Sequence, residues 1–126
     1  MSVNFLKIAV VYLVIGTLLG FTMGITQKFA LVPVHAHLLL LGWASLALAG
    51  LVYHLYPAAS TNRLARFHFW LHNVGLPVFM LGLGFLLTGS HLALPLAIIG
   101  AIAVLLGLVL FAANVLLNVK PAALSA

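Results

Sequence analysis

Six histidines hold almost all of the chemistry open to this chain. It contains no aspartate, glutamate or cysteine. That rules out carboxylate general bases, carboxylate cages for calcium or magnesium, HExxH proteolysis, disulfides, iron–sulfur clusters and thiolate chemistry. Imidazole remains, a common protein ligand for heme iron and for copper. Tyr12, Tyr53 and Tyr56 are weaker candidates.

The histidines fall in patterns. His35 and His37 lie in the stretch Pro33-Val34-His35-Ala36-His37, which runs directly into an apolar segment ending at Tyr56. On a helix, residues two apart point about 200° from one another. One metal ion does not easily take both, so the pair serves two different neighbours. His68 and His72 are four apart and share a helix face, a spacing that suits one metal ion or frames one ligand such as a quinol headgroup. His54 comes to similar depth from the neighbouring span and completes a possible second site, with Asn73 the nearby side chain able to orient an imidazole. His91 is a possible further ligand at the opposite face. The plainer reading of span-end histidines, as interfacial groups bonded to headgroups or backbone carbonyls, applies best to His54 and His91 and competes evenly for His68.

The elements that must position these groups are membrane spans. Of the 126 residues, 66% are hydrophobic and only 4% are charged, with a mean hydropathy of +1.35. A soluble domain carries roughly 25% charged residues. Apolar segments of membrane-spanning length are predicted at about 5–26, 34–57, 67–88 and 91–119, as one four-span helical domain over 1–126. Short connections imply an antiparallel bundle. The first span resembles a signal peptide, but no A-x-A pattern follows and it is expected to be a retained helix. Gly16, Gly20 and Gly24 give it one smooth face, suited to packing within the subunit or between subunits. Pro77, Gly82 and Gly84 are expected to bend the third span. Ala58 to Arg66 is the most polar connection, and Lys120 to Ala126 forms a short tail.

The net charge of +5 rests on five scattered residues. Such spacing marks topology, not nucleic-acid binding. With the N-terminus inside, Lys7, Arg63, Arg66 and Lys120 share one side and Lys28 lies alone on the other, so both termini are predicted cytoplasmic, in a bacterial inner membrane. His35, His37 and His91 then lie near the outer face, and His54, His68 and His72 near the inner. His37 and His54 stand roughly 25 Å apart along their helix, so the two groups cannot share a ligand. Around the outer pair, Gly42 shares the face of His35 and Ala44 that of His37. Ser45, Ala47, Ala49 and Gly50 keep the helix slender, which leaves room for a flat macrocycle and equally suits helix packing.

The run VPVHAHLLLLGWASLALAGLVYHLYP resembles the second transmembrane helix of subunit I of the heme–copper oxidases, most nearly in the nitric oxide reductase and C-family oxidase branches. FHFWLHNVGLPVFMLGLGF resembles the helix that follows it, and together the likeness covers about residues 30–90. In that family a Pro-x-His at the helix start supplies an axial ligand to low-spin heme b, and His35 is the matching position. The family subunit is three four-helix arcs about a pseudo-threefold axis, and this chain corresponds to one arc. The equivalent helix of the third arc carries a His-x-His pair, one histidine to each of two hemes.

The resemblance therefore implies a homotrimer holding three b hemes, each between His35 of one subunit and His37 of the next, with the ring closed head to tail. The function it implies is a membrane b-type cytochrome that transfers electrons, since two axial imidazoles leave no open iron site. A quinol near His54, His68 and His72, or a redox protein, would be the electron partner. One alternative is a copper- or heme-handling protein for a respiratory oxidase, with His35, His37 and His91 holding copper beside the thioethers of Met23 and Met80. Another is a gas-binding heme protein, if only one of the pair ligates iron; any enzymatic activity would then be that of a heme-dependent oxidoreductase. A purely structural subunit with interfacial histidines is the last.

Overall fold

The computed structural model describes residues 1–120, and the tail beyond Lys120 lies outside the described residues. Four long helices account for nearly all of it: α1 (Ser2–Thr26), α2 (Val32–Leu55), α3 (Arg63–Leu87) and α4 (Leu94–Asn118). Each is long and apolar enough to cross a membrane, α4 together with the 3₁₀ turn His91–Ala93 that precedes it. The described residues contain no strand.

Glycines set the packing. Along α1 and α2, Gly16 faces Leu38 and Leu39, Gly20 faces His35, Gly42 faces Tyr12, and Gly50 faces Phe5, Leu6 and the Ser2 carbonyl. Positions rise on one helix as they fall on the other, which is an antiparallel register. Between α3 and α4 the interlock is closer. Gly82 lies on the Ala97 backbone, Gly100 on the Phe79 backbone, Gly75 against Ala103 and Gly107 against His72. Lipid tails are as apolar as leucine, so close van der Waals contact of this kind, and not water exclusion, holds helices together in a bilayer. Gly16 and Gly20 are thus spent inside the subunit, while nothing stands within 4 Å of a side chain built at Gly24. Two buried clusters follow: Phe5, Ala9, Leu46, Ala49, Tyr53, Ala59 and Ala65 at the end carrying Arg63, and Val34, Leu38, Leu76, Met80 and Val104 toward the other. Large apolar side chains such as Phe21, Leu40, Phe67, Trp70, Leu81 and Leu105 cover the outside, as a lipid-facing surface requires.

Several expectations shift. The second span starts at Val32, with Pro33 in its first turn, and ends at Leu55. The third begins at Arg63, four residues early, because Asn62 caps it: the Asn62 Oδ1 accepts the Ala65 N–H at 3.0 Å. The polar connection also holds the short helical turn Pro57–Ser60, so little of it is open loop. α3 continues through Pro77 as one helix, and Gly82 serves contact with α4 while Gly84 faces open space. Gly42 does not leave room for a macrocycle, since the Tyr12 ring fills the space beside it.

One feature of α2 has no counterpart in the expectation. Leu38–Ala44 winds as a π-helix inside the span. Ser45 closes it, bringing both its backbone N–H and its hydroxyl to the carbonyl of Leu40, the hydroxyl at 2.8 Å. Such wide turns concentrate at functional sites.

Candidate functional site

The first turns of α2 present His35 and His37 on different sides. His35 turns toward α1, where its Nδ1 lies 2.7 Å from the carbonyl oxygen of Gly16 and its ring rests in the notch left by Gly20. His37 turns toward α3, its ring edge-on to Phe79 with centroids 5.1 Å apart. Its Nδ1 lies 2.6 Å from the carbonyl oxygen of Pro33, one turn back. A carbonyl only accepts, so in both residues Nδ1 carries the proton and donates it. In the neutral imidazole the Nε2 lone pair is then free. Neither Nε2 has a hydrogen-bond partner among the described residues. Both side chains are half-buried.

The arrangement is what a metal-ligating histidine needs: one ring nitrogen anchored to the backbone, the other offered with its lone pair in a set direction. The two rings leave α2 toward different helices of the same chain, His35 toward α1 and His37 toward α3.

The remaining histidines are sorted differently from the sequence pattern. His91 lies exposed on the 3₁₀ turn and His54 is exposed at the end of α2. Among the described residues no three histidines come together in a group able to hold a metal ion, so neither His35, His37 and His91 nor His54, His68 and His72 form such a set. His68 and His72 do meet, fully buried, and the side chain that joins them from α2 is Tyr53, not His54. The Tyr53 hydroxyl lies 2.9 Å from His68 Nδ1, His68 Nε2 lies 3.2 Å from His72 Nδ1, and His72 Nε2 lies 3.0 Å from the Leu41 carbonyl oxygen in the π turn. Every ring nitrogen of the pair is already in a hydrogen bond, and a metal or quinol would have to displace one.

One further member, Asn114, escaped the sequence reading. Asn114, fully buried on α4, donates to the Tyr53 hydroxyl at 3.4 Å and to the Ala59 carbonyl at 2.7 Å. Its own Oδ1 accepts from the Asn62 and Asn118 amides. The available signal was a polar amide inside the apolar run of the fourth span, which the bilayer tolerates only with partners. Among the described residues Asn73 orients no imidazole; its amide donates to the Phe69 carbonyl at 2.8 Å, and its buried Oδ1 has no partner there.

No protein-family profile, no characterised protein and no solved structure matches this chain.

Proposed function

We propose that this chain is a b-type cytochrome of a bacterial inner membrane, a homotrimer with both termini on the cytoplasmic side, in which His35 of one subunit and His37 of the next hold each heme. The observation that carries this reading is the matched state of the two imidazoles: each donates Nδ1–H to a carbonyl oxygen and keeps Nε2 free. The donor set fits heme iron, for which neutral imidazole is the usual axial ligand. The two rings leave α2 toward different helices, His35 toward α1 and His37 toward α3, and in a closed cyclic ring each would be completed by a histidine of a neighbouring subunit. When bound between two imidazoles, heme b supplies one-electron transfer and has no open position for oxygen. The chain's own part is to hold two ring planes: Gly16 and Gly20 fix His35, and Pro33 and Phe79 fix His37.

The test is a reduced-minus-oxidised visible spectrum of the purified protein, with heme-to-chain stoichiometry and native mass. Sharp b-type bands, one heme per chain and a three-chain mass are expected, with the bands lost in either His35→Ala or His37→Ala. A carbon monoxide shift of the reduced spectrum would instead mean an open axial position and a gas-binding protein. Copper without heme would mean a metal-handling protein, and a colourless metal-free preparation would end the reading.

A further inference from the structure

With both imidazoles neutral, the buried chain between Asn114 and Leu41 has one polarity. The Leu41 carbonyl accepts, so His72 Nε2 carries a proton and His72 Nδ1 offers a lone pair. That lone pair takes the Nε2 proton of His68, which leaves His68 Nδ1 as acceptor for the Tyr53 hydroxyl. Tyr53 Oη in turn accepts from Asn114. Both imidazoles are neutral in this state, and each link is already aligned to pass a proton toward Leu41.

We propose that Tyr53, His68 and His72 form a proton-loading relay, which takes one proton from the Asn62 and Asn118 end of the molecule and holds it on His72. The proton comes from a hydronium ion in water at the half-exposed Asn62 and Asn118 surface, which is left as water. A proton binds Tyr53 Oη as the hydroxyl's own proton crosses to His68 Nδ1, and His68 passes its Nε2 proton to His72 Nδ1. Tyr53 and His68 end neutral, His68 now as the Nδ1–H form. His72 ends as imidazolium, with one N–H on the Leu41 carbonyl and the other on His68 Nε2. A carbonyl oxygen has no proton to hand on, so the relay stops there. The relay stands on hydrogen-bond polarity alone and does not depend on heme.

His68 lies between two aromatic rings, Phe5 at 5.1 Å and 28° and Phe111 at 5.0 Å and 33°, and ring faces attract a cation within about 6 Å. The entry end is polar: Asn62, Asn114 and Asn118 share one hydrogen-bonded cluster that reaches the half-exposed surface. Facing the pair, α1 contributes Phe5, α2 Tyr53 and the Leu41 carbonyl, and α4 Phe111 and Asn114. Tyr53 is the one titratable group hydrogen-bonded to either imidazole besides its partner; Lys7, Arg63, Arg66 and His54 are exposed.

The experiment is nitrogen NMR of the full-length protein in lipid nanodiscs, with ¹⁵N-labelled histidine and transfer into D₂O. The expected result is the Nε2–H form at both His68 and His72, with ring N–H exchange much faster than that of the buried backbone amides of Gly75 and Leu76. Tyr53→Phe keeps the ring and removes the hydroxyl, and should slow ring exchange by about a hundredfold, the lower end of what positioned proton transfer contributes. Ring protons that exchange only at the amide rate overturn the proposal, as does a Nδ1–H form at His72 or unchanged exchange in Tyr53→Phe. Should that variant not fold, the comparison of ring and amide exchange in the native chain decides alone.

Discussion

Replacing Gly20 by alanine tests the anchoring of His35 without touching a ligand. A Cβ at Gly20 would stand 2.5 Å from His35 Cε1 and 2.9 Å from Nδ1. Carbon atoms pack comfortably at about 3.5 Å and beyond, so the ring must retreat by roughly 1 Å. The Nδ1 to Gly16 carbonyl distance is 2.7 Å, and a retreat of that size takes it past the limit of a hydrogen bond. Loss of a neutral hydrogen bond costs about 0.5–1.5 kcal/mol, and loss of the group that orients a metal-bound histidine costs roughly 10- to 100-fold in affinity. The upper part of the first range and the lower end of the second agree, since about 1.4 kcal/mol is tenfold. Alanine also favours helix over glycine by roughly 0.5–1 kcal/mol, so the fold should persist while ligation weakens. Heme titration followed by absorbance measures the change, with Gly24→Ala as control because no atom lies within 4 Å of a Cβ there. A Gly20→Ala protein that binds heme as tightly as the native chain, or a Gly24→Ala protein that loses as much, refutes the reasoning.

The α3–α4 contact offers a paired stability test. Gly82→Ala drives a methyl into the Ala97 backbone, whereas Gly84→Ala meets nothing within 4 Å. Thermal or denaturant unfolding should show Gly82→Ala destabilised by about 1–3 kcal/mol through overpacking, and Gly84→Ala unchanged or stabilised by a few tenths to about 1 kcal/mol. His54→Ala and His91→Ala remove exposed imidazoles, and visible spectra of both should match the native protein. A lost heme band in either would move the site away from His35 and His37.

The span count needed no coordinates. Four apolar runs of sufficient length, separated by Gln27-Lys28, by a segment with two arginines and by Gly89-Ser90, leave no other arrangement for a chain with 4% charged residues. Boundaries were less legible where local chemistry competed with hydropathy. Arg63 and Arg66 fell in the most polar connection, yet the Asn62 cap starts α3 there. The divergence of His35 and His37 was also readable, because two residues apart on a helix sets an angle whatever the surroundings.

Partners across the chain were not readable. Tyr53 finds His68 and Asn114 finds Ala59 over long stretches of sequence, and no spacing within one helix encodes such meetings. Gly42 looked like open space because a sequence shows the missing side chain but not the Tyr12 ring that fills the gap. The π turn at Leu38–Ala44 belongs to the same class: LLLLGWA has no local signal for it, and Leu41 shows its role only once His72 arrives from α3. Sequence alone determined four helices long and apolar enough to span a membrane, with chemistry resting on imidazole, because hydropathy and residue type are local properties. Only tertiary structure decided which histidines keep a free lone pair and which are tied into a buried chain, because that depends on the carbonyl or hydroxyl each ring meets.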